Sequence, residues 1–320
     1  MLCMIRFLLL SSIQNFSKPF VCVAFAFCGA LHLTAADLPA ERSLWKGVPG
    51  GTAIQFDKES VRSHEVSVHS LSGSNRVFSQ VFESSYTMHQ APETIATGVG
   101  MVICPGGGYR DVWLDREGHD LGIWLQKQGI TSLVLKYRTN YGAEQSKPKY
   151  PWTEYLTAVV ADARQGIQIL REEATSLNLD PEKIGIGGFS AGGHLALSVA
   201  LGLYADSGSR TPLSTPSFAG LFYPWLRDDL RAEGVVENQD HLPPMFFMNA
   251  LNDRLTPANR CIEFFTRIHS KGVPSELHLY SRGGHGFDMG EGKGASTRMW
   301  KNSFVAWLTD TGFIERKAED

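Results

Sequence analysis

The sequence predicts an α/β sandwich: a mostly parallel sheet of roughly eight strands with helices on both faces. Three observations carry that expectation. From residue 99 onward, short apolar runs alternate with longer stretches that are apolar at helical spacing. The runs are apolar throughout, as strands covered on both faces must be. No repeat, low-complexity tract or linker interrupts the chain after residue 36, so residues 37–320 read as one domain.

The elements follow in order. Residues 45–60 are glycine-rich and irregular, and residues 64–69 (HEVSVH) and 76–82 (RVFSQVF) alternate apolar and polar, as half-buried strands do. They precede any helix and are expected to add an antiparallel edge. Residues 99–104 (VGMVIC) form a buried strand that stops at Pro105-Gly106-Gly107-Gly108. Residues 117–128 carry Leu121, Trp124 and Leu125 at helical spacing, with Gly129 as the stop. Residues 131–136 are the next strand, and 155–174 a long helix through Val159, Val160, Ile167 and Leu170. A short strand, 184–187, runs directly into a helix of small and apolar residues over 191–203. Buried runs at 218–222 and 245–249, a helix at 261–271, a last strand at 276–280 and a closing helix around 303–308 complete the pattern.

Composition narrows the function classes. The 320 residues hold 30 Lys+Arg against 33 Asp+Glu, with no Lys/Arg-rich block, so the concentrated basic footprint of a nucleic-acid binder is missing. Residues 1–36 contain Arg6 and Lys18 and no acid. Within them residues 20–30 (FVCVAFAFCGA) have the length of a signal-peptide core, and Thr34-Ala35-Ala36 suits cleavage before Asp37. The run is shorter than the roughly 20 apolar residues a spanning helix needs. The expectation is a signal peptide over residues 1–36, an exported (periplasmic or secreted) protein and no stable membrane partner. Three of the five cysteines lie in that segment; Cys104 and Cys261 are expected as free, buried thiols.

The sharpest local signal is Gly188-Phe189-Ser190-Ala191-Gly192, which fits G-x-S-x-G between a strand and a helix. A serine on such a turn projects from the sheet at a helix N-terminus, with the Ala191 N–H pointing into the same space. A serine hydroxyl is a weak nucleophile and needs a base, which needs an orienting partner. His285, in Gly283-Gly284-His285-Gly286, follows the last strand, and Asp253 follows the strand before it. In a parallel sheet all carboxyl ends share one edge, so Ser190, Asp253 and His285 stand on loops of one rim. Asp228 and Asp229 are the alternative acids. His194, one helical turn past Ser190, reads as a packing or hydrogen-bonding residue, and His64, His119 and His269 as surface or structural. The glycines after residue 104 present bare N–H groups of the kind a developing oxyanion needs. A phosphate loop is excluded because no Lys-Ser/Thr follows them, and a dinucleotide loop because Ser190 stands where a third glycine belongs. No metal-ligand spacing and no cofactor motif occurs.

With these residues in view, the chain resembles the α/β-hydrolase esterases, near the hormone-sensitive-lipase-like and bacterial acetyl-xylan-esterase-like (BD-FAE-like) secreted carboxylesterases. The resemblance runs from about Trp45 to Leu308. It rests on Pro-Gly-Gly-Gly-Tyr109, Glu117-Gly118-His119-Asp120, Leu135-Lys-Tyr-Arg138, Gly-Phe-Ser190-Ala-Gly-Gly-His194-Leu-Ala and Gly-Gly-His285-Gly-Phe. It implies the α/β-hydrolase fold, Ser190 as nucleophile, His285 as base, Asp253 as orienting acid, and oxyanion donors from Gly107, Gly108 and Ala191. Two positions depart from the pattern. Related enzymes have a histidine where Pro105 stands, so the oxyanion loop must be supported differently. Arg254 adjoins the acid, to pair with it or to line the pocket.

The function expected is hydrolysis of carboxylic esters through an acyl-serine, with acetyl or other short acyl groups on small-molecule or oligosaccharide substrates. Amidase or peptidase chemistry of the same fold is the alternative, and a non-catalytic binding module a more distant one. Loops 139–152 and 225–243 offer Tyr150, Trp152 and Trp225, either to stack on sugar rings or to anchor the loops.

Overall fold

The computed structural model describes residues 38–51, 53–55, 57–142, 146–205 and 211–315. The expected export segment lies outside the described residues. In chain order the elements are β1 (Glu41–Ser43), β2 (Ser60–Ser63), β3 (Arg76–Ser79), β4 (Ser85–His89), β5 (Gly100–Cys104), β6 (Asp111–Val112) and α1 (Asp120–Lys127). Then come β7 (Thr131–Lys136), α2 (Trp152–Glu172), β8 (Ile184–Phe189), α3 (Ala191–Ala200), β9 (Ala219–Phe222) and α4 (Asp228–Arg231). Last are β10 (Met245–Ala250), α5 (Ala258–Ser270), β11 (Ser275–Tyr280) and α6 (Trp300–Asp310).

The main sheet has eight strands in the order β1-β4-β7-β5-β8-β9-β10-β11 and is flanked by helices. The six strands from β7 to β11 in that order pair in parallel, and β4 and β1 continue the sheet antiparallel. Strands β5, β7, β8, β9 and β10 are buried along their whole length, and apart from Thr131, Ser132 and Lys136 of β7 and Asn249 of β10 their residues are apolar or glycine. The fold class expected from the sequence is the one observed.

The opening strands differ from expectation. Residues 64–69 form no strand, and the antiparallel edge is made by β1 and β4. Val66 is 42% exposed and Val68 83%, so the apolar face that the alternation suggested stays open to solvent. Strand β3 joins β2 and β6 in a separate three-stranded antiparallel sheet.

At the centre of the main sheet, β8 turns into α3 within one residue. That approach requires glycine on either side of Ser190: a Cβ on Gly188 would lie 2.2 Å from the Gly192 carbonyl oxygen, and one on Gly192 would lie 2.0 Å from the Cys104 carbonyl oxygen. Cys104 and Cys261 are free and buried, as expected; burial pushes the Cys261 thiol up to about 12.

Candidate active site

Ser190 occupies the turn between β8 and α3 with φ +51° and ψ −113°, a conformation that a residue with a side chain adopts only under constraint. Its N–H donates to the Phe222 carbonyl (3.0 Å), and its own carbonyl accepts from the N–H of His194 (3.0 Å) and of Trp225 (2.8 Å). Backbone bonds to β9 and α3 therefore hold the strained turn, leaving the hydroxyl free to face the rim.

Asp253 and His285 reach the same place from the ends of β10 and β11. The turn after β10 is built on Asp253: its Oδ1 accepts from the N–H groups of Leu255 (2.8 Å) and Thr256 (2.9 Å). Its Oδ2 accepts from the Thr256 hydroxyl (2.7 Å) and pairs with His285 Nδ1 (2.8 Å). Burial pushes this carboxyl up, but hydrogen bonds from His285 and Thr256 outweigh it, and its pKa is lowered. An ionised carboxylate only accepts, so His285 Nδ1 carries the proton. His285 Nε2 is then the acceptor for the Ser190 hydroxyl at 2.9 Å. The structure brings the three sequence-selected residues into one hydrogen-bonded line.

The glycine loop after β5 supplies the opposite wall. Gly107 has φ +132°, and its carbonyl accepts from the N–H groups of Arg110 (3.1 Å) and Asp111 (3.0 Å). A Cβ there would meet the Asp111 carbonyl oxygen at 2.0 Å, so only glycine closes this turn. The N–H groups of Gly107, Gly108 and Ala191 donate to no protein acceptor among the described residues. Gly107, Gly108, Ser190, Trp225, Leu255 and His285 line a cleft of about 500 Å³.

The support expected to replace the missing histidine is visible below the loop. Glu117 Oε2 accepts the Gly106 N–H (2.7 Å), and the Tyr137 hydroxyl donates to the Pro105 carbonyl (2.6 Å). Glu117 Oε1 also accepts from the Tyr223 hydroxyl (2.7 Å), beside Asp288. Burial and the neighbouring Glu117 charge push the Asp288 carboxyl up to about 8, against the pull of Arg116, whose guanidinium lies 2.7 Å away. Arg116 also donates to the Gly286 carbonyl (3.0 Å), next to His285. Sequence reasoning assigned Glu117, Tyr223 and Asp288 no role; the only signal was Glu117 within a resemblance motif.

Other expectations resolve individually. Asp229, an alternative acid, meets His194 and not His285, and the Asp228 side chain is 94% exposed and pairs with Arg231. Arg254 is exposed, outside the cleft lining and without an ion-pair partner among the described residues, so neither role expected for it is met. Trp225 lines the cleft, while Trp152 packs against Tyr109 and under Arg227, and the Tyr150 hydroxyl bonds the Gln55 backbone. His119 is buried against His89 (2.9 Å), a structural role. Among the described residues no group of three or more His, Cys, Asp or Glu is placed to hold a metal ion.

A parallel sheet whose central strand ends in a serine elbow, with an acid and a histidine on the next loops of the rim, gives the chain the α/β-hydrolase fold. Within that class, residues 132–209 match the BD-FAE family model. The acetylxylan esterase of Xylanibacter ruminicola is 31% identical over 221 residues, which cover 61% of this chain and 42% of that protein. The chain thus spans less than half the length of that relative. Among solved structures, an acetyl ester-xyloside bifunctional hydrolase from Caldicellulosiruptor lactoaceticus superposes with TM-score 0.64 at 23% identity, covering 87% of this chain and 98% of that one. Thermogutta terrifontis esterase 2 gives TM-score 0.60 at 22% identity, covering 73% and 92%. The resemblance read from the motifs is borne out by these matches.

Proposed function

We propose that this chain is a serine carboxylic-ester hydrolase that removes acetyl or other short acyl groups from carbohydrate esters through an acyl-enzyme. The observation that carries the reading is the unbroken line Asp253–His285–Ser190, opening on a cleft lined by Gly107 and Gly108. Relatives named acetylxylan esterase and acetyl ester-xyloside hydrolase support the acyl and sugar classes. A cleft of about 500 Å³ suits a sugar ring with a short acyl group.

The chemistry follows from the roles. Ser190 Oγ attacks the ester carbonyl carbon while His285 Nε2 takes the hydroxyl proton, and Asp253 stabilises the imidazolium. The N–H groups of Gly107, Gly108 and Ala191 bind the oxyanion. The tetrahedral adduct collapses, the alcohol leaves with the proton from His285, and acyl-Ser190 remains. Water then attacks the acyl carbon and gives its proton to His285. Collapse of the second adduct releases the acid, and the proton returns to Ser190.

Ser190→Ala is expected to abolish hydrolysis of p-nitrophenyl acetate while the thermal midpoint stays close to that of the unaltered protein. Retained turnover would falsify the assignment. Acetate release from acetylated xylan, set beside turnover of an aryl formamide, tests the substrate class; preference for the formamide would favour the amidase alternative. Export with cleavage before Asp37 is part of the same proposal, supported by the acid-free, apolar residues 1–36. N-terminal sequencing of protein recovered outside the cytoplasm is expected to begin at Asp37, and an intact Met1 would refute it.

A further inference from the structure

His194 lies four residues past Ser190 on α3, and none of its surface reaches solvent. A buried imidazole costs stability unless both nitrogens are used. Here both are. Nδ1 meets the Tyr109 hydroxyl at 2.6 Å, and Nε2 meets Asp229 Oδ2 at 3.2 Å. The directions of these bonds follow from the acid. Asp229 accepts from the Tyr204 hydroxyl and, at 3.2 Å, from Arg227 Nε. Burial pushes its carboxyl up, but the bonds from His194 and Tyr204 and the Arg227 charge carry it well below the usual carboxylate range. An ionised Asp229 only accepts, so His194 Nε2 carries the proton and Nδ1 offers its lone pair. Burial raises the Tyr109 phenol far above its ordinary value, so it keeps its proton and donates to Nδ1.

Tyr109 directly follows the donor loop. Gly107, Gly108 and Tyr109 are left-handed in succession, with φ of +132°, +65° and +61°. For tyrosine that conformation needs an external constraint. Bonds at both ends of the residue supply one: its carbonyl accepts the Asn140 N–H (2.8 Å) and its hydroxyl reaches His194. Tyr155 and Trp152 pack edge-on against its ring. His194 belongs to the helix that begins at Ala191. The bond between Tyr109 and His194 therefore joins the glycine loop after β5 to the helix after Ser190, the two separate elements that bring the free N–H groups together.

We propose that Tyr109, His194 and Asp229 form a second hydrogen-bonded line that sets the spacing of the oxyanion donors, making Tyr109 and His194 positioning residues for the ester hydrolysis. The inference rests on the serine-hydrolase reading above. Neither residue touches the reacting atoms. Their effect is on the geometry in which Gly107 and Gly108 meet the charge that develops on the substrate oxygen. A donor displaced by a fraction of an ångström weakens the transition-state complex much more than the ground-state complex.

The test uses the full chain with Tyr109→Phe, which removes one oxygen, and Asp229→Asn, which frees the imidazole to take the other tautomer. Active sites are counted by fluorophosphonate titration. The readouts are kcat and KM for p-nitrophenyl acetate and the inhibition constant of phenylboronic acid, whose tetrahedral adduct places an oxygen in the oxyanion position. Tyr109→Phe is expected to lower kcat about 10- to 100-fold, on the scale of a misplaced catalytic group, with KM within twofold. The boronate constant is expected to rise in parallel, and Asp229→Asn to shift both in the same direction by less. If both variants keep kcat and the boronate constant within twofold, the line is packing only and the inference fails, whatever happens to the thermal midpoint. If the unaltered protein takes no fluorophosphonate label, the serine reading fails first and the inference falls with it.

Discussion

At the scale of single residues, the site depends on where protons are held. Asp253 keeps its negative charge because its bonds from His285 and Thr256 outweigh the effect of burial, and that charge sets the tautomer of His285. Asp253→Asn keeps the size of the side chain but can turn an N–H toward Nδ1. The proton then moves to Nε2, which faces Ser190 and can no longer accept. The expected loss in kcat is about 10³- to 10⁴-fold, on the scale of the same exchange in the serine-protease triad. It is read on p-nitrophenyl acetate with stopped turnover counted per active site. Activity within tenfold of the unaltered protein would mean that the acid is not needed. The pH dependence has a definite sign: with its folded pKa lowered, the Asp253 contribution is present above the ordinary carboxylate range and is lost as pH falls through the lowered value. These residues were legible in the sequence because each stands just past an apolar run, on a turn whose small residues mark its geometry. The roles of Tyr109 and Asp229 were not, since they arise from contacts with His194 across 85 and 35 positions of chain.

At the scale of elements, legibility tracked burial. Strands β5, β7, β8, β9 and β10 are covered on both faces and announce themselves as continuous apolar runs. Strand β4 (Ser85–His89) went unread because its polar residues are buried as well as its apolar ones. Ser85 bonds Glu41 and His89 bonds His119, so hydrogen bonds replace the apolar side chains a reader looks for. Residues 64–69 err in the other direction: they alternate, but all are exposed. The expected helix at 117–128 begins instead as a π-turn, Asp115–His119, that leads into α1. The wider turn lets Asp115, Glu117 and His119 all face inward, where they meet Arg76, Gly106 and His89. Periodicity does not signal such a turn, and π-turns of this kind are frequent at functional sites. Here it aims Glu117 at the base of the glycine loop.

At the scale of the whole molecule, Asp288 ties together segments that the chain order keeps apart. Its carboxyl meets Arg116 from the π-turn and Tyr223 from the end of β9, its carbonyl accepts from Trp300 Nε1 on α6 (2.8 Å), and His285 lies three residues before it. Burial and the neighbouring Glu117 charge raise Asp288 to about 8. In the unfolded chain the same acid titrates near 3.8. Between those two values the folded state binds a proton that the unfolded state has released. Stability is therefore highest below about pH 4 as far as this group is concerned, falls as pH rises toward 8, and is level beyond it. Asp288→Asn leaves a neutral side chain at every pH and removes that dependence. Thermal midpoints measured from pH 5 to 9 are expected to decline more steeply in the unaltered protein than in Asp288→Asn, by on the order of 5 °C across the range. Parallel curves would show that Asp288 is already ionised at pH 5, with Arg116 and not Glu117 controlling its charge.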